Sequence, residues 1–458
     1  MSLKKIYSLL FFIGIFFFPF NEFKGISALG EFQSEAGSFF LLAGFIVLLL
    51  SGRISIPIRS IYFNLLLLFL LWCAITSVIN LPTIATSYFK FTTGINRFIR
   101  QYFALMLSCI VFFVLYWNVL INMSSKEILF KIRKIFLLSL TVAAVYGFLE
   151  AMVVIFHISQ AYPLLNLFSY LPFLEVDIDP NATRISSIAA EPPFLAIYLI
   201  TITGWMFSYI ITESKITKFI PLVVVLLLTY FSGSRTALLV VTLQIVICFS
   251  FLYKSKQYKK YIIYASVFIA FFTVILLAVN ANKVITSVQT KLESLNFSDN
   301  LTKTNSNKSR FGLQYASIQV YKENPVVGVG FGQQTYHSRH HYPRWATKDN
   351  YEFTDHYKNI YEKSFPPGYN IYTRLLAETG TIGIVLFLAL LISVLVQSRR
   401  LLRITANEEH TLALILYISF IGLIINWMQF DSFRIYGFWL CLALLIKLTA
   451  ATKVKANE

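Results

Sequence analysis

The chain alternates long apolar segments with short polar ones. Within each apolar segment the hydrophobic residues are continuous rather than alternating, which favours transmembrane helices and excludes the strands of a membrane barrel. A composition of 57% hydrophobic and 13% charged residues also excludes a soluble globular protein. We predict about twelve transmembrane helices, at 3–20, 36–50, 61–80, 101–117, 135–156, 187–211, 218–231, 236–253, 261–280, 369–396, 411–427 and 434–449.

One long polar insertion interrupts this pattern. Residues 281–367 lie between the ninth and tenth predicted helices and carry four of the six His residues of the chain. We therefore divide the chain into 1–280 with helices one to nine, the large loop 281–367, and 368–458 with three further helices and a C-terminal tail. Because binding and catalytic residues concentrate in loops, we expect the function on this loop's side of the membrane.

The distribution of Lys and Arg predicts the orientation of the helices. These residues concentrate in the short loops on the side opposite the large loop, which the positive-inside rule places in the cytoplasm. Lys4 and Lys5 precede the first apolar segment, which lacks a small-residue cleavage site and is therefore predicted to be a retained helix. We predict that both termini are cytoplasmic. Orientation signals and contacts with anionic lipids then account for the net charge of +17, without nucleic acid.

Arginine residues mark the outward ends of several predicted helices. An Arg at the membrane centre costs about 2.5–3.5 kcal/mol, so repeated Arg residues near that depth indicate an anionic partner. The alternative is snorkelling to headgroups together with local pairs, Arg374 with Glu378 and Asp431 with Arg434. Because a guanidinium group can grip phosphate with two hydrogen bonds, we predict an outward-facing phosphate site. The arginines at this face are Arg97, Arg100, Arg184, Arg235, Arg310, Arg374 and Arg434.

Two carboxylates accompany these arginines. Glu150 lies in the outer half of the fifth predicted helix, and Glu191 lies in the sixth, seven residues after Arg184. Carboxylates within the membrane are functional candidates by default. Pro192 and Pro193 follow Glu191 and predict a break or kink in that helix, because they remove backbone donors. The alternative is a structural pair of Glu191 and Arg184 that holds the kink.

The large loop also contains a group of histidines. His337, His340 and His341 have a spacing that could place two imidazoles on one helical face, and His356 follows an Asp. This pattern permits a metal site, but a solvated basic patch is the interpretation that we favour.

Five groups of residues together resemble the bacterial O-antigen polymerase and ligase superfamily. They are Arg184-Ile-Ser-Ser-Ile-Ala-Ala-Glu191-Pro192-Pro193-Phe194, Ser232-Gly233-Ser234-Arg235-Thr236-Ala237, Arg310-Phe-Gly with Asn324-Pro325-Val-Val-Gly328-Val-Gly330, Pro367-Gly368-Tyr369-Asn370, and Ala377-Glu378-Thr379-Gly380-Thr-Ile-Gly383. No single group is specific, but their order and spacing cover most of 184–390. The resemblance implies an enzyme that acts on glycans carried on undecaprenyl diphosphate at the periplasmic face of the bacterial inner membrane.

The resemblance also favours one branch of that superfamily. Ligases typically carry a His directly before the Asn at the junction between loop and helix, whereas this chain has Tyr369 before Asn370. The Glu-Pro-Pro sequence after Arg184 resembles the Wzy-type polymerase branch instead. His356 does not occupy the position of the ligase His, so the resemblance leaves the general base unassigned.

The expected fold class is therefore an all-α polytopic integral membrane protein with about twelve transmembrane helices, GT-C-like, with one large periplasmic loop. The expected activity is metal-independent glycosyl transfer that polymerises lipid-diphosphate-linked repeats into O-antigen or a related surface polysaccharide. Arg184, Arg235, Arg310 and Arg374 would stabilise the leaving diphosphate. Glu191 is the first candidate for the acceptor base and His356 the second. Further candidates are Arg97, Arg434, Glu150, Tyr369 and Asn370.

No cofactor and no metal are expected. The expected partners are the undecaprenyl-diphosphate-linked glycan, membrane lipids, a chain-length regulator and a flippase, and no nucleic acid. An O-antigen ligase, which transfers the finished chain to lipid A-core, is the first alternative. A polysaccharide or lipid transporter is the alternative from a different class, and it predicts inverted repeats and charges spread through the bilayer depth, neither of which the sequence contains.

Overall fold

The computed structural model describes residues 2–457 except Asp177, Pro180, Asn181 and 254–303. These residues are mainly helical, with one short antiparallel hairpin in which Tyr88–Phe89 (β1) pairs with Thr92–Thr93 (β2). Numbered along the described residues, the helices are α1 Leu3–Phe16, α2 Ala36–Leu50, α3 Ile61–Ile79, α4 Leu81–Thr86, α5 Gly94–Met106, α6 Phe113–Leu120, α7 Ser125–Val154, α8 Tyr162–Asn166, α9 Pro192–Thr212, α10 Ile220–Phe231, α11 Arg235–Tyr253, α12 Asn305–Glu323, α13 Gln334–Ser338, α14 Arg344–Thr347, α15 Ile371–Ile404, α16 Asn407–Asn426 and α17 Tyr436–Asn457.

Seven helical stretches within the described residues are long and apolar enough to cross a membrane. They are Ile61–Ile79, Gly94–Leu120, Ser125–Val154, Pro192–Thr212, Arg235–Tyr253, Ile371–Ile404 and Asn407–Asn426. Shorter apolar helices at Ala36–Leu50, Ile216–Phe231 and Tyr436–Thr452 accompany them. The predicted span 261–280 lies outside the described residues, and each of the other eleven predicted spans overlaps a helix. The prediction of an all-α polytopic membrane protein is confirmed.

The fourth predicted span begins earlier than expected. Its apolar stretch suggested 101–117, but the helical stretch runs from Gly94 to Leu120, with a π-helical turn between α5 and α6. The Thr93 hydroxyl accepts a hydrogen bond of 3.3 Å from the Asn96 N–H and caps the first turn. Arg97 therefore lies inside the first turns of this helix rather than before it.

The predicted kink after Glu191 is wrong. The sixth span was expected at 187–211 with a break at its prolines, but α9 begins at Pro192. Pro192 and Pro193 occupy the first two helical positions, where no intrahelical partner exists for a backbone N–H, so proline costs little there. Glu191 is the residue that precedes this helix.

Helix α15 is broken near its beginning by Gly380, which has φ 62° and ψ −165°. The break frees carbonyl groups of the preceding turn. The Val329 N–H donates to the Ala377 carbonyl at 3.0 Å, and the Gly330 N–H donates to the Glu378 carbonyl at 2.9 Å. A neighbouring segment thus satisfies the backbone groups that the break exposes, as a broken helix in a membrane protein requires.

Glycine allows this close approach of two backbones. A Cβ on Gly380 would lie 2.3 Å from the Val326 carbonyl oxygen, and a Cβ on Gly328 would lie 2.5 Å from the Glu378 carbonyl carbon. The Thr76 hydroxyl of α3 donates to the Val327 carbonyl at 2.6 Å and holds the segment from the other side. The two glycine-containing motifs that the sequence presents separately are one structural unit.

The segment 304–370 folds on top of this unit. Helix α12 packs along α15, which itself packs against α3 and α16, and α16 also contacts α9, α11 and α17. The segment is tied to the β1–β2 hairpin by Lys90, whose ammonium group donates to the carbonyls of His356 and Ser364, both at 2.7 Å. Tyr336 donates from its hydroxyl to the Thr92 carbonyl at 2.9 Å. The described part of the predicted loop is therefore anchored to the helical bundle.

Candidate functional site

Arg374 is buried and fully engaged by its neighbours. Its Nε donates to Glu378 Oε1 at 3.1 Å, and its two terminal nitrogens donate to the Asp431 carbonyl at 2.7 Å and to Gln101 Oε1 at 2.8 Å. The local pair of Arg374 and Glu378 predicted from their spacing is thus confirmed. Because Arg374 is only 8% exposed and has three polar partners, its guanidinium group is satisfied within the protein.

Arg434 pairs with different carboxylates from the one predicted. Its Nε lies 3.5 Å from Glu31 Oε2, and a terminal nitrogen pairs with Glu35. The local pair with Asp431, which the sequence offered as an alternative to phosphate binding, does not form, and the Asp431 carboxylate accepts from the Gly368 N–H at 2.6 Å. We call Glu31, Glu35, Gln101, Arg374 and Arg434 the buried arginine cluster.

The carboxylates of this cluster have opposite pKa shifts. Burial raises the pKa of Glu31, but Arg434, Arg97 and Arg374 outweigh this effect and hold the pKa below its usual range. Burial raises the pKa of Glu35 above its usual range, although Arg434 opposes the shift. The arginines therefore favour the ionised form of Glu31, whereas burial disfavours the ionised form of Glu35.

The cleft within the buried arginine cluster is small. The cleft that its side chains line has a volume of about 10 Å³, which is the space of about one water molecule. Beside it, the Arg97 guanidinium group lies 4.2 Å from the centre of the Phe365 ring, and its Nε is buried without a hydrogen-bond partner among the described residues. We interpret the cluster as a structural centre.

Sequence reasoning found the arginines of this cluster but missed Glu31, Glu35 and Gln101. The two glutamates lie in a short polar stretch before α2, with no motif around them. Gln101 lies in an amphipathic stretch of α5, where a polar residue is expected on the solvent-facing side and gives no sign of a buried partner. The only sequence signal was that Glu31 and Glu35 fall on the predicted outward side and are opposite in charge to the arginines.

Arg184 and Arg235 are arranged differently. Both side chains are exposed, and neither makes an ion pair within the described part of the chain. They meet at the turn before α11, where Gly233 has φ 59° and a Cβ added to it would lie 3.2 Å from the Arg184 Cβ. Arg235 is the first residue of α11, and the Ser234 hydroxyl accepts a hydrogen bond of 3.3 Å from the Ala237 N–H. The positive end of α11 therefore lies close to the Arg184 side chain, and Arg235 begins that helix.

Glu150 holds the Arg184 segment in place. Its carboxylate accepts hydrogen bonds from the Ser186 N–H at 3.0 Å and from the Ser187 N–H at 2.7 Å. Ser187 has φ 56°, and its hydroxyl donates to the Ala143 carbonyl at 2.6 Å. The buried Glu150 therefore holds the backbone of this segment, and it makes no ion pair with Arg184 or Arg235 among the described residues.

The two sequence candidates for the acceptor base are both exposed. Glu191 precedes α9, and its side chain makes no capping hydrogen bond. His356 contributes its carbonyl to Lys90, and its side chain is exposed. A catalytic role for either residue stays a prediction.

The loop histidines contact other side chains. His341 Nε2 lies 3.2 Å from Glu323 Oε2, and Arg339 Nε donates to His340 Nε2 at 3.1 Å. Burial lowers the pKa of His337 below its usual range. Within the described residues there is no group of three His, Cys, Asp or Glu side chains that could hold a metal ion.

Arg310 and Tyr369 form a second polar group. The Arg310 guanidinium group lies 4.9 Å from the centre of the Tyr369 ring. The Tyr369 hydroxyl lies 2.9 Å from the Tyr357 hydroxyl, which donates to Glu352 Oε2 at 2.9 Å. Asn370 caps α15, because its Oδ1 accepts from the Tyr372 N–H at 2.9 Å and the Thr373 N–H at 3.3 Å. Asn370 thus has a structural role at the start of that helix.

A short connection between α16 and α17 contacts both the turn that carries Arg235 and the segment that carries Tyr369. Gln429 accepts a hydrogen bond from the Thr236 hydroxyl, next to Arg235. Phe430 packs edge-on against Phe194, which follows Glu191 by three residues. Asp431 holds Gly368, next to Tyr369. Since three residues of extended chain span roughly 10 Å, the Arg235 turn and Tyr369 lie at the two ends of a short bridge.

Comparison with known proteins supports the resemblance seen in the sequence. Residues 220–388 match a family model described as O-antigen ligase. The matched residues form less than half of the chain, and they include Arg235, Arg310, Tyr369 and Arg374 but not Arg184. The match supports the superfamily of O-antigen ligases and polymerases, whose members transfer glycosyl groups in polysaccharide biosynthesis, without separating the two branches. A search of the curated proteins found no match.

Proposed function

We propose that the protein is a polymerase that joins undecaprenyl-diphosphate-linked oligosaccharide repeats at the periplasmic face of the bacterial inner membrane. The observation that carries this proposal is that Arg184 and Arg235 lie at the turn before α11, are exposed, and make no ion pair among the residues that the structure describes. A buried protein arginine ordinarily has a carboxylate partner, as Arg374 and Arg434 do. Arg184 and Arg235 are exposed and lie beside a helix N-terminus, a setting that suits the binding of an anionic ligand.

The chemistry requires such a site. The acceptor hydroxyl oxygen attacks the anomeric carbon of the donor glycan, the bond from that carbon to the diphosphate oxygen breaks, and undecaprenyl diphosphate leaves with the electron pair. Negative charge therefore grows on the diphosphate during the reaction. Arg184 and Arg235 stabilise that charge through paired N–H groups, and the positive end of α11 adds to the effect. The reaction needs no metal ion under this proposal, since guanidinium groups supply the positive charge.

Arg310 is the third arginine that we assign to the donor. It lies against Tyr369 and is only partly buried, so its guanidinium group can turn one face to a ligand. Arg374 receives a different role from the one expected. Because its nitrogens are taken by Glu378, Gln101 and the Asp431 carbonyl, we propose that it positions the connection between α16 and α17 rather than binding phosphate.

A ligase is the second candidate, and the description of the matched family favours it. Tyr369 at the position where ligases typically carry His supports the polymerase instead, as does the sequence Glu191-Pro192-Pro193. Deleting the gene separates the two functions. Loss of a polymerase leaves single repeats on the surface lipid, whereas loss of a ligase leaves long chains on the lipid carrier.

The arginine pair is tested in the same cells. Complementation with Arg184→Ala or Arg235→Ala should leave the pattern of the deletion, with the protein present at its normal level. Arg53→Ala is the matched control, because Arg53 is also exposed but follows α2, on the side that the charge distribution predicts to be cytoplasmic. Long polymer from both Arg184→Ala and Arg235→Ala would show that the pair does not serve the donor.

A further inference from the structure

Tyr369, Tyr357 and Glu352 form a continuous chain of hydrogen bonds. The two tyrosine hydroxyl oxygens are 2.9 Å apart, and the Tyr357 hydroxyl is 2.9 Å from Glu352 Oε2. Tyr357 is buried, whereas Tyr369 and Glu352 are partly exposed. The chain therefore runs from one accessible end, through a buried hydroxyl, to a carboxylate at the other end.

The direction of these hydrogen bonds follows from the groups involved. A carboxylate can only accept, so Tyr357 must donate its single proton to Glu352. The Tyr357 oxygen then has only lone pairs to offer Tyr369, so Tyr369 must donate its own proton to Tyr357. The Tyr369 oxygen is left with free lone pairs. It can accept a hydrogen bond from a further hydroxyl group.

The backbone holds Tyr369 at this place. Its φ of 54° is unusual for a residue with a side chain, so the surroundings must fix it. They do so from both sides. Asp431 accepts the N–H of Gly368 before it, and Asn370 after it caps α15. Arg310 covers one face of the Tyr369 ring.

We propose that Tyr369 accepts the hydrogen bond of the attacking sugar hydroxyl and passes its proton through Tyr357 to Glu352. This inference rests on the proposed function, and it deepens that function by assigning the acceptor side of the site. Tyr369 is then the catalytic residue that touches the acceptor. Tyr357 and Glu352 are positioning residues that act through it.

The proton steps balance with the bond changes. As the sugar oxygen bonds to the anomeric carbon, its proton moves to the Tyr369 oxygen. The Tyr369 proton moves to Tyr357, and the Tyr357 proton moves to Glu352. Both tyrosines end as neutral phenols, Glu352 ends protonated, and the diphosphate leaves with its electron pair. Glu352 then loses the proton to water, because its side chain is partly exposed.

A concerted transfer suits the surroundings of the tyrosines. Burial raises the pKa of Tyr369 above its usual range, and burial together with Tyr369 and Glu352 raises that of Tyr357. The deprotonated form of the tyrosine is therefore disfavoured at either position. Each tyrosine hydroxyl accepts one proton while it donates another, so neither tyrosine has to become a charged phenolate.

The location of the relay fits the donor site. Arg310, which we assign to the diphosphate, touches the same Tyr369 ring. The bridge through Gln429 and Asp431 connects Tyr369 to the turn that carries Arg235. Under this proposal Arg310 contacts both the Tyr369 ring and the diphosphate, which brings the acceptor hydroxyl to the leaving group.

The test uses the full-length purified protein and undecaprenyl-diphosphate-linked oligosaccharide extracted from cells that lack this gene. Tyr369→Phe and Glu352→Gln should each lower kcat by about 100-fold, the lower end of the range for general base catalysis. Tyr357→Phe should lower it at least about tenfold, because it interrupts the relay. KM for the donor should stay unchanged. Tyr351→Phe is the matched control, since Tyr351 is exposed and adjoins Glu352 without joining the chain of hydroxyls.

Two further readouts separate a relay from a packing role. The double variant Tyr357→Phe with Glu352→Gln should be no slower than Glu352→Gln alone, because residues that act as one unit are not additive. The solvent deuterium isotope effect on kcat should shrink in Tyr357→Phe. Wild-type rates in both Tyr357→Phe and Glu352→Gln would overturn the relay while leaving the polymerase intact. Failure of the wild-type protein to extend the donor would instead refute the proposed function.

Discussion

The side chain of Arg184 lies over Gly233, two residues before Arg235. A Cβ added to Gly233 would come within 3.2 Å of the Arg184 Cβ and 3.7 Å of its Cδ. Gly233 also has φ 59°, which residues with a side chain rarely adopt. The glycine of the Ser-Gly-Ser-Arg motif therefore has two local functions. It makes the turn before α11, and it leaves room for the Arg184 side chain beside that turn.

Gly233→Ala should consequently weaken activity more than it weakens folding. The left-handed conformation costs an alanine about 1 kcal/mol, and the new Cβ pushes Arg184 away from the turn. Gly52→Ala is the control for the conformational cost alone, because Gly52 has φ 65° and open space around its Cβ position. We expect both variants to lower the thermal midpoint of the purified protein by similar amounts, and only Gly233→Ala to reduce polymer on a surface-polysaccharide gel. Equal polymer from the two variants would show that the contact with Arg184 does not matter.

The break in α15 leads to a prediction about stability. Gly380→Ala places a Cβ 2.3 Å from the Val326 carbonyl oxygen, and backbone atoms cannot move aside as the end of a side chain can. We expect a loss of roughly 1–3 kcal/mol in the free energy of unfolding, beyond the conformational cost. The thermal midpoint in detergent should fall well below that of Gly52→Ala. Similar midpoints for the two variants would mean that the segment around Val326 is not locked against the break.

Topology is predicted from charge and can be checked by labelling. Tyr361→Cys, at a position 78% exposed, should react with an impermeant maleimide in intact spheroplasts, because we expect the segment 304–370 to be periplasmic. Ile216→Cys, 81% exposed on the predicted cytoplasmic side, should react only after lysis. The four native cysteines are buried and should give little background. The opposite pattern at these two positions would reverse the orientation.

Glu191 and the Tyr369 relay are rival candidates for the acceptor hydroxyl. Glu191 is exposed and has no capping contact, so Glu191→Gln keeps the size of the side chain and disturbs no described hydrogen bond. If the relay receives the proton, Glu191→Gln should keep most of the turnover of the purified enzyme. Loss of turnover with unchanged donor binding would return the base to Glu191, as the sequence first indicated.

The sequence predicted the helices well because apolar runs are a local signal. Each predicted span outside 254–303 overlaps a helix, and errors fall at the ends, where caps such as Thr93 decide the first turn. The prolines after Glu191 were misinterpreted, because position at a helix start or in its interior decides their effect.

Site partners were harder to predict, because they join distant parts of the chain. Arg374 was recognised as a charge that needs an anion, and its neighbour Glu378 is visible from the spacing. The partnership of Arg434 with Glu31 and Glu35 spans about four hundred residues and leaves no local pattern. Only the structure shows that Arg374 and Arg434 are buried and paired, whereas Arg184 and Arg235 are exposed. The residue type is the same in both groups, so the sequence could not distinguish them.

The central claim is that Arg235, unlike the arginines of the buried arginine cluster, binds the diphosphate with its planar guanidinium group. The measurement is in vitro extension of purified lipid-linked repeat by Arg235→Ala and Arg235→Lys, with Arg53→Lys as control and with chelator present. Removing one such donor should lower kcat by about 100-fold. Lys should behave nearly as badly as Ala, because an ammonium group cannot form two parallel hydrogen bonds. Near-normal product from Arg235→Lys, or loss of wild-type activity in chelator, would contradict the account.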